Sequence, residues 1–105
     1  MSGYLDAVTR GSVVFDGATG TWLQTQDLTA EDFGGPDLEG CNEILNLTRP
    51  DVVAALHRAY LDVGAHVVET NTFGCFAGPL GEYGLEDQVY DIAASAARIA
   101  RETAD

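Results

Sequence analysis

The chain has 105 residues, the length of one small domain, and its composition of 46% hydrophobic and 21% charged residues is typical of a folded globular protein. Seventeen Asp and Glu residues against five basic residues give a net charge of −12. A surface this acidic repels phosphate groups, which argues against nucleic-acid binding and against association with anionic membranes.

The two cysteines, Cys41 and Cys75, are far apart in the sequence. Their spacing matches neither a disulfide framework nor a zinc motif with paired cysteines. No apolar run approaches the roughly 18 residues of a membrane span, and the N-terminus lacks the pattern of a signal peptide. We therefore expect a cytoplasmic protein.

The first half of the chain predicts two helices around one strand. Residues 2–9 favour a short helix that ends at Gly11. The apolar run 12–15 is typical of a strand that is buried on both faces. Residues 17–25 indicate a turn and at most two helical turns. The irregular stretch 26–47 is long for a connection in a compact domain, and such connections tend to be functional.

The second half predicts a helix, a strand and a final helix. A helix is expected from Pro50 to Gly64, because proline is favoured in the first turn and glycine ends helices. Residues 66–70 predict a strand and 71–85 a glycine-rich loop, and the last helix is expected over 86–103. The predicted buried faces consist of Val53, Leu56, Tyr60 and Val63 in one helix and Val89, Ile92, Ala93, Ala96, Ile99, Ala100 and Thr103 in the other.

Strands that alternate with helices predict the α/β class, with right-handed βα units and a parallel sheet. Two parallel strands cannot bury both faces of a sheet by themselves. We therefore expect the chain to be the opening section of a larger α/β barrel or layered domain. In isolation, the apolar faces around Val14, Val67, Leu56 and Ile99 should be partly uncovered.

The segment DGATGT, residues 16–21, follows the first predicted strand, and ligands of parallel α/β folds bind at the carboxyl ends of strands. Asp16 supplies a carboxylate for an ammonium group, and the glycines allow backbone amides to approach a carboxylate. The segment therefore fits the binding of a zwitterion. A tight turn in which Asp16 caps a helix explains the same residues without a ligand.

Two further segments contain polar groups. In Glu39–Glu43, Cys41 has no evident base nearby, so a structured loop is favoured over a nucleophile. In Glu69–Phe73, the tip of the second strand should lie beside Asp16, so Asn71 and its neighbours either line a site or form a solvated loop with Asn71 as a cap.

The histidines give little indication of a metal site. We expect His57 on the surface of its helix and His66 in a structural role at the start of the second strand. A zinc site built from both cysteines and a histidine is poorly spaced. These residues therefore do not predict a metal site.

Three segments occur together in order: DGATGT, EGCNEILNLTRPD and ETNTF, with AYLDVGAHVV between the last two. With them the chain, from about Val13 onward, resembles the start of the homocysteine-binding barrel of the cobalamin-dependent methionine synthase family. DG-x-x-GT alone is shared with other homocysteine methyltransferases, whereas EGCNEILNLTRPD is more particular to the cobalamin-dependent enzymes. Thr19 departs from the family pattern, which usually has Met at that position.

The resemblance implies that residues 1–105 are a partial homocysteine-binding domain, the opening βα units of a truncated (β/α)8 TIM barrel. It implies methyl transfer to the thiolate of homocysteine from cobalamin, which is charged by methyltetrahydrofolate, with a zinc ion that activates the thiol. The resemblance places the zinc ligands and the cofactor modules of the family outside this chain, which should therefore contain no metal ligand and no catalytic residue and should bind neither cofactor alone. The substrate-binding positions that carry over are Asp16, Gly17, Ala18, Asn71, Thr72 and Phe73.

Two functional hypotheses remain open from the sequence. The chain is either an inactive fragment of a methyltransferase that is completed by missing parts, or a small non-catalytic binding or interaction protein that retains the amino-acid-binding turn. A reading frame that continues into a third strand would favour the methyltransferase.

Overall fold

The computed structural model describes residues 2–105, and these residues are mostly helical. The α-helices are α1 (Ser2–Arg10), α2 (Thr19–Gln24), α3 (Leu45–Thr48), α4 (Pro50–Asp62), α5 (Ala77–Gly81) and α6 (Val89–Ala104). Short 3-10 helices cover Ala30–Phe33, Pro36–Leu38, Asn42–Ile44 and Glu86–Gln88. Among these residues, no helix is both long and apolar enough to cross a membrane.

Helices α4 and α6 pack against each other and form the centre of the core. Leu56 of α4 and Ile92 of α6 are almost completely buried. The predicted bounds of both helices are confirmed to within a few residues. The expectation that the faces around Leu56 and Ile99 would be partly uncovered is wrong, because both side chains are buried and the two helices pack against each other. Val63 was also placed wrongly: α4 ends at Asp62, and Val63 is 82% exposed.

A polar contact also joins the two long helices. The Arg58 guanidinium of α4 donates a hydrogen bond of 2.7 Å to the carbonyl oxygen of Thr103, in the last turn of α6. This bond satisfies one of the carbonyl groups that a helix leaves without a partner at its C-terminal end. It fixes how α4 lies along α6.

The two predicted strands meet but do not form a ladder. Among the described residues, their pairing is one isolated parallel bridge between Phe15 and Val67. The bridge is supported by hydrogen bonds from Asp16 N to Val67 O (2.9 Å) and from His66 N to Val14 O (2.7 Å). Small parallel sheets are rarely stable alone, which explains why the pairing stays short. The pairing is parallel, which is the direction that consecutive strands of βα units have.

The long connection 26–47 is irregular as expected, but side-chain hydrogen bonds and an ion pair hold it in place. Thr29 and Asp32 form a reciprocal capping box at the first 3-10 helix. Arg49 pairs with Asp32 and with Asp51, at 2.8 Å to the latter. The hydrogen bond from the Thr29 backbone, followed by that from Arg49, holds the pKa of Asp32 below its usual range. Helix α5, in the predicted loop 71–85, was not anticipated.

Apolar side chains remain exposed around the strand pair. Val14 is 52% and Phe15 47% exposed, and Phe15 contacts the ring of Tyr4 edge-on. Helix α1 adds the exposed Leu5 and Val8. This part of the isolated chain therefore presents apolar surface beside unpaired strand backbone, a combination that promotes association.

We expect the isolated 105-residue chain to self-associate in size-exclusion chromatography with light scattering. Phe15→Thr should reduce the association, because it removes an exposed ring and keeps strand propensity. Tyr90→Thr is the matched control, since Tyr90 is an 82% exposed aromatic residue of α6. A monomeric wild-type chain with a sharp cooperative melt would contradict the prediction.

Candidate functional site

The strand bridge places Asp16 directly beside the second predicted strand. The Asp16 amide donates to Val67 O, and the Asp16 carboxylate accepts a hydrogen bond of 2.9 Å from Glu69 N. One side chain thus contacts the strand tip that was predicted to lie next to it. The partners of Asp16 in both bonds, Val67 O and Glu69 N, are backbone atoms, so its position does not depend on a flexible side chain.

Only one of the two carboxylate oxygens of Asp16 is used within the described residues. Oδ2 accepts the bond from Glu69 N, whereas Oδ1 is buried and has no hydrogen-bond partner among them. Buried polar atoms are nearly always hydrogen-bonded in folded proteins. Asp16 therefore has a free acceptor in a sheltered position, which is suited to an N–H donor of a ligand.

Helix α4 supports the turn that follows Asp16. The Tyr60 hydroxyl donates a hydrogen bond of 2.9 Å to the carbonyl oxygen of Ala18. The Tyr60 ring lies so close to Gly17 that a Cβ atom at this position would be 3.0 Å from Tyr60 Oη. A side chain at position 17 would therefore have to displace the Tyr60 ring by a few tenths of an ångström.

A cavity of about 280 Å³ opens where the turn meets the strand tip. It brings together four of the six predicted substrate-binding residues: Asp16, Gly17, Thr72 and Phe73. Phe73 is 98% exposed and stands at the rim. The hydroxyl groups of Thr70 and Thr72 share a hydrogen bond of 2.7 Å.

A second cavity, of about 310 Å³, adjoins the first and shares Thr19, Thr70, Thr72 and Phe73 with it. Asn71 and Glu43 add polar groups to this cavity. Ala18 lines neither cavity. Its backbone carbonyl instead accepts the hydrogen bond from the Tyr60 hydroxyl. Five of the six predicted positions thus line one or both of these cavities, and Ala18 belongs to the turn beside them.

Asn71 has a more specific role than either of its predicted ones. Its side-chain amide donates to Asn42 O at 2.8 Å, and its backbone carbonyl accepts from the Asn46 side chain at 2.8 Å. These bonds attach the strand tip to the segment before α4. Glu43 adds a third attachment by accepting a bond from Gly74 N at 3.0 Å.

The cysteines do not form a metal site with other residues. Among residues 2–105, no group of three His, Cys, Asp or Glu side chains is placed to hold an ion. Burial, more than the nearby Glu43, raises the pKa of the Cys41 thiol and of the Cys75 thiol. Cys75 also donates to Val89 O. Both thiols therefore favour the protonated form, which is neither a nucleophile nor a metal ligand.

His57 contradicts the expectation of a surface residue, because it is completely buried. Neither ring nitrogen has a hydrogen-bond partner among the described residues. Burial lowers the pKa of His57, and the negative charge of Asp16 acts weakly in the opposite direction. His66 does have a structural role, since its Nδ1 accepts a bond from Val14 N at 2.9 Å.

The sequence does not reveal directly which residues of α4 lie near the turn after Asp16, namely His57 and Tyr60. Tyr60 was assigned to the apolar face of the helix, which is correct for its ring but ignores its hydroxyl. The expectation that His57 lies on the surface rests only on its position in the middle of the helix. A signal was present, because His57 and Tyr60 are three positions apart and so lie on one face of a helix, the face that meets the turn.

Comparison with known proteins identifies relatives over nearly the whole chain. The family model described as Homocysteine S-methyltransferase matches residues 13–105. The methionine synthase of Mycobacterium tuberculosis is 52% identical over 101 residues, which cover 96% of this chain and 8% of that protein. The methionine synthase of Mycobacterium leprae is 50% identical over the same share of each chain. The chain thus spans about one twelfth of the length of these relatives.

The burial of His57 predicts a pH-dependent stability. An unfolded chain takes up a proton at His57 as the pH falls through about 6.5, whereas the folded chain resists it because its pKa is lower. The unfolded state then binds more protons, so the free energy of unfolding should fall as the pH drops from about 7.5 to about 5.5.

The substitution His57→Leu should flatten this dependence without loss of stability at neutral pH, because it replaces unpartnered buried nitrogens by apolar atoms. Urea unfolding at both pH values measures the effect, at low protein concentration in the Phe15→Thr background. Equal pH dependence in the wild type and in His57→Leu would show that His57 does not cause it.

Proposed function

Because this chain belongs to the homocysteine S-methyltransferase family, we propose that it forms the amino-acid-binding part of a methionine synthase. The reaction is methyl transfer to the sulfur of homocysteine. The observation that carries the proposal is the free, buried Oδ1 of Asp16 at the edge of a cavity. The 50–52% identity to two methionine synthases supports the choice of this activity within the family.

In this proposal the cavity binds the backbone end of homocysteine. The Asp16 carboxylate accepts a hydrogen bond from the substrate ammonium, and charge-assisted bonds of this kind are stronger than neutral ones. The backbone amides of the turn after Asp16 bind the substrate carboxylate. Thr72 and Phe73 border the same space, so the thiol would extend past them, away from Asp16.

We also propose that the chain contributes the first βα units of a (β/α)8 barrel, as a partial homocysteine-binding domain. The parallel direction of the Phe15–Val67 bridge supports this fold. So does the position of the cavity, next to the residues that follow each paired segment. The exposed Val14 and Phe15 would be covered by other strands of the barrel.

Residues 2–105 do not fit a zinc site, because their potential ligands are not grouped and burial favours the protonated form of both thiols. Zinc in the complete enzyme would therefore be held by residues outside 1–105, and its role would be to bind the thiol as thiolate. Cobalamin and methyltetrahydrofolate, as methyl carriers, would likewise be handled by other parts of the protein. A cytoplasmic location stays a prediction.

The role of Asp16 is tested in a chimera in which this chain replaces the aligned 101 residues of the Mycobacterium tuberculosis methionine synthase. Asp16→Asn should weaken homocysteine binding roughly 10- to 100-fold, which corresponds to the about 1.5–3 kcal/mol of a hydrogen bond to a charged group. The asparagine oxygen can still accept from Glu69 N, so the fold should be retained. Calorimetric titration measures the affinity.

Asp62→Asn is the matched control, because it removes one exposed negative charge outside the cavities. It should leave affinity, melting temperature and metal content unchanged. If Asp16 only caps the turn, Asp16→Asn will lower the melting temperature and leave the affinity near that of the wild type. That result, or a chimera that does not bind homocysteine, would refute the proposed function.

Metal analysis gives a separate prediction for the isolated chain. After dialysis against buffer with trace zinc, we expect well below one equivalent of bound zinc, since Cys41 and Cys75 are the only thiols. Stoichiometric zinc that disappears in Cys41→Ser or Cys75→Ser would contradict the assignment of the metal ligands to other parts of the protein.

A further inference from the structure

We propose that Tyr60 is a positioning residue that orients the Ala18–Thr19 peptide for recognition of the substrate carboxylate; this inference rests on the proposed function. Tyr60 belongs to α4 and lines neither of the two cavities. Its effect on a ligand must therefore pass through the turn. Two contacts connect it to that turn, one polar and one steric.

The polar contact fixes the direction of one peptide group. The Tyr60 hydroxyl donates to the Ala18 carbonyl oxygen at 2.9 Å, so this carbonyl points toward α4. In a planar trans peptide the N–H points opposite to the C=O, and no peptide among the described residues is cis. The Thr19 N–H is therefore turned away from α4.

None of the residues that line the 280 Å³ cavity belongs to α4, and in this proposal the Thr19 N–H, turned away from α4, faces that cavity. All lining residues of the 280 Å³ cavity come from the turn itself and from the strand tip 69–73. Because helix α2, which begins at Thr19, has only six residues, the relevant donor is one oriented peptide and not a helix dipole. The Thr19 N–H and the free Oδ1 of Asp16 then offer a donor and an acceptor to the two ends of an amino acid.

The steric contact prevents the turn from collapsing onto α4. The ring of Tyr60 lies against Gly17, with Oη, Cε1 and Cζ 3.0 to 3.3 Å from the position of a Cβ atom. A rotation of the Gly17 backbone toward the helix would drive it into the ring. The ring thus restricts Gly17 and the hydroxyl restricts the adjoining Ala18–Thr19 peptide, both from the side of α4.

The test uses the chimera and three ligands. Homocysteine has both charged groups, 3-aminopropane-1-thiol lacks the carboxylate, and 4-mercaptobutyrate lacks the ammonium. Tyr60→Phe keeps the ring and removes the hydroxyl. It should weaken homocysteine and 4-mercaptobutyrate roughly three- to tenfold, the effect of one neutral hydrogen bond, and leave 3-aminopropane-1-thiol unchanged. Gly17→Ala, which displaces the hydroxyl, should show the same selectivity.

Asp16→Asn provides the opposite selectivity. It should weaken homocysteine and 3-aminopropane-1-thiol and spare 4-mercaptobutyrate, since only the first two carry an ammonium group. Tyr90→Phe, which removes an exposed hydroxyl in α6, is the control for Tyr60→Phe and should change none of the three affinities.

Equal weakening of all three ligands by Tyr60→Phe, or no weakening, would overturn the role of Tyr60 while the Asp16 results still support the proposed function. A normal response to Tyr60→Phe without any effect of Asp16→Asn would instead refute the ammonium site. The Ala18 carbonyl ¹³C signal gives a readout without ligand. It should shift in Tyr60→Phe, and an unchanged signal would show that the hydrogen bond is absent and would also overturn the inference.

Discussion

The parallel contact between Phe15 and Val67 is the constraint on which the candidate site depends. It is short, yet it joins segments that are far apart in sequence, and its hydrogen bonds extend from Val14 to Asp16. Without it, the Asp16 turn and the 69–73 tip would be two unrelated loops. With it, the Asp16 carboxylate reaches Glu69 N, and a cavity forms between the two segments. One β-bridge thus sets the relative position of the two segments that form the candidate site.

Helix α4 transmits the packing of the core to this site. One side of α4 packs on α6, with Val53 and Ile92 in the same core cluster, and Arg58 binds the Thr103 carbonyl. Tyr60 extends from the same helix to Ala18. Because the core side chains are closely packed and α4 is a rigid element, the turn inherits a fixed position from residues that never touch a ligand. The placement of a binding turn here is therefore a property of helix packing as much as of the turn sequence.

The sequence predicted the long helices well and the polar interior poorly. The bounds of α4 and α6 follow from apolar periodicity, Pro50 and Gly64, which are local signals. The location of Asp16 beside the 69–73 tip followed from the rule that parallel strands end at one edge. The partners of Asn71 were not predictable in the same way, because they lie in a distant segment, and the burial of His57 was indicated only by its spacing from Tyr60. Helix α5 was hidden by the glycine content of its loop, where Leu80 becomes fully buried.

The charge distribution explains why backbone orientation matters so much in this site. The chain carries a net charge of −12, and the residues that line the two cavities include Asp16, Glu43 and Glu69 but no arginine or lysine. Such a surrounding attracts an ammonium group and repels a carboxylate. A zwitterion can then be held only if neutral donors face its carboxylate at short range. Backbone N–H groups are such donors, and their strength depends on direction. In the proposed site, the bond from the Tyr60 hydroxyl to Ala18 O would orient one such donor and so compensate for the missing cationic side chain.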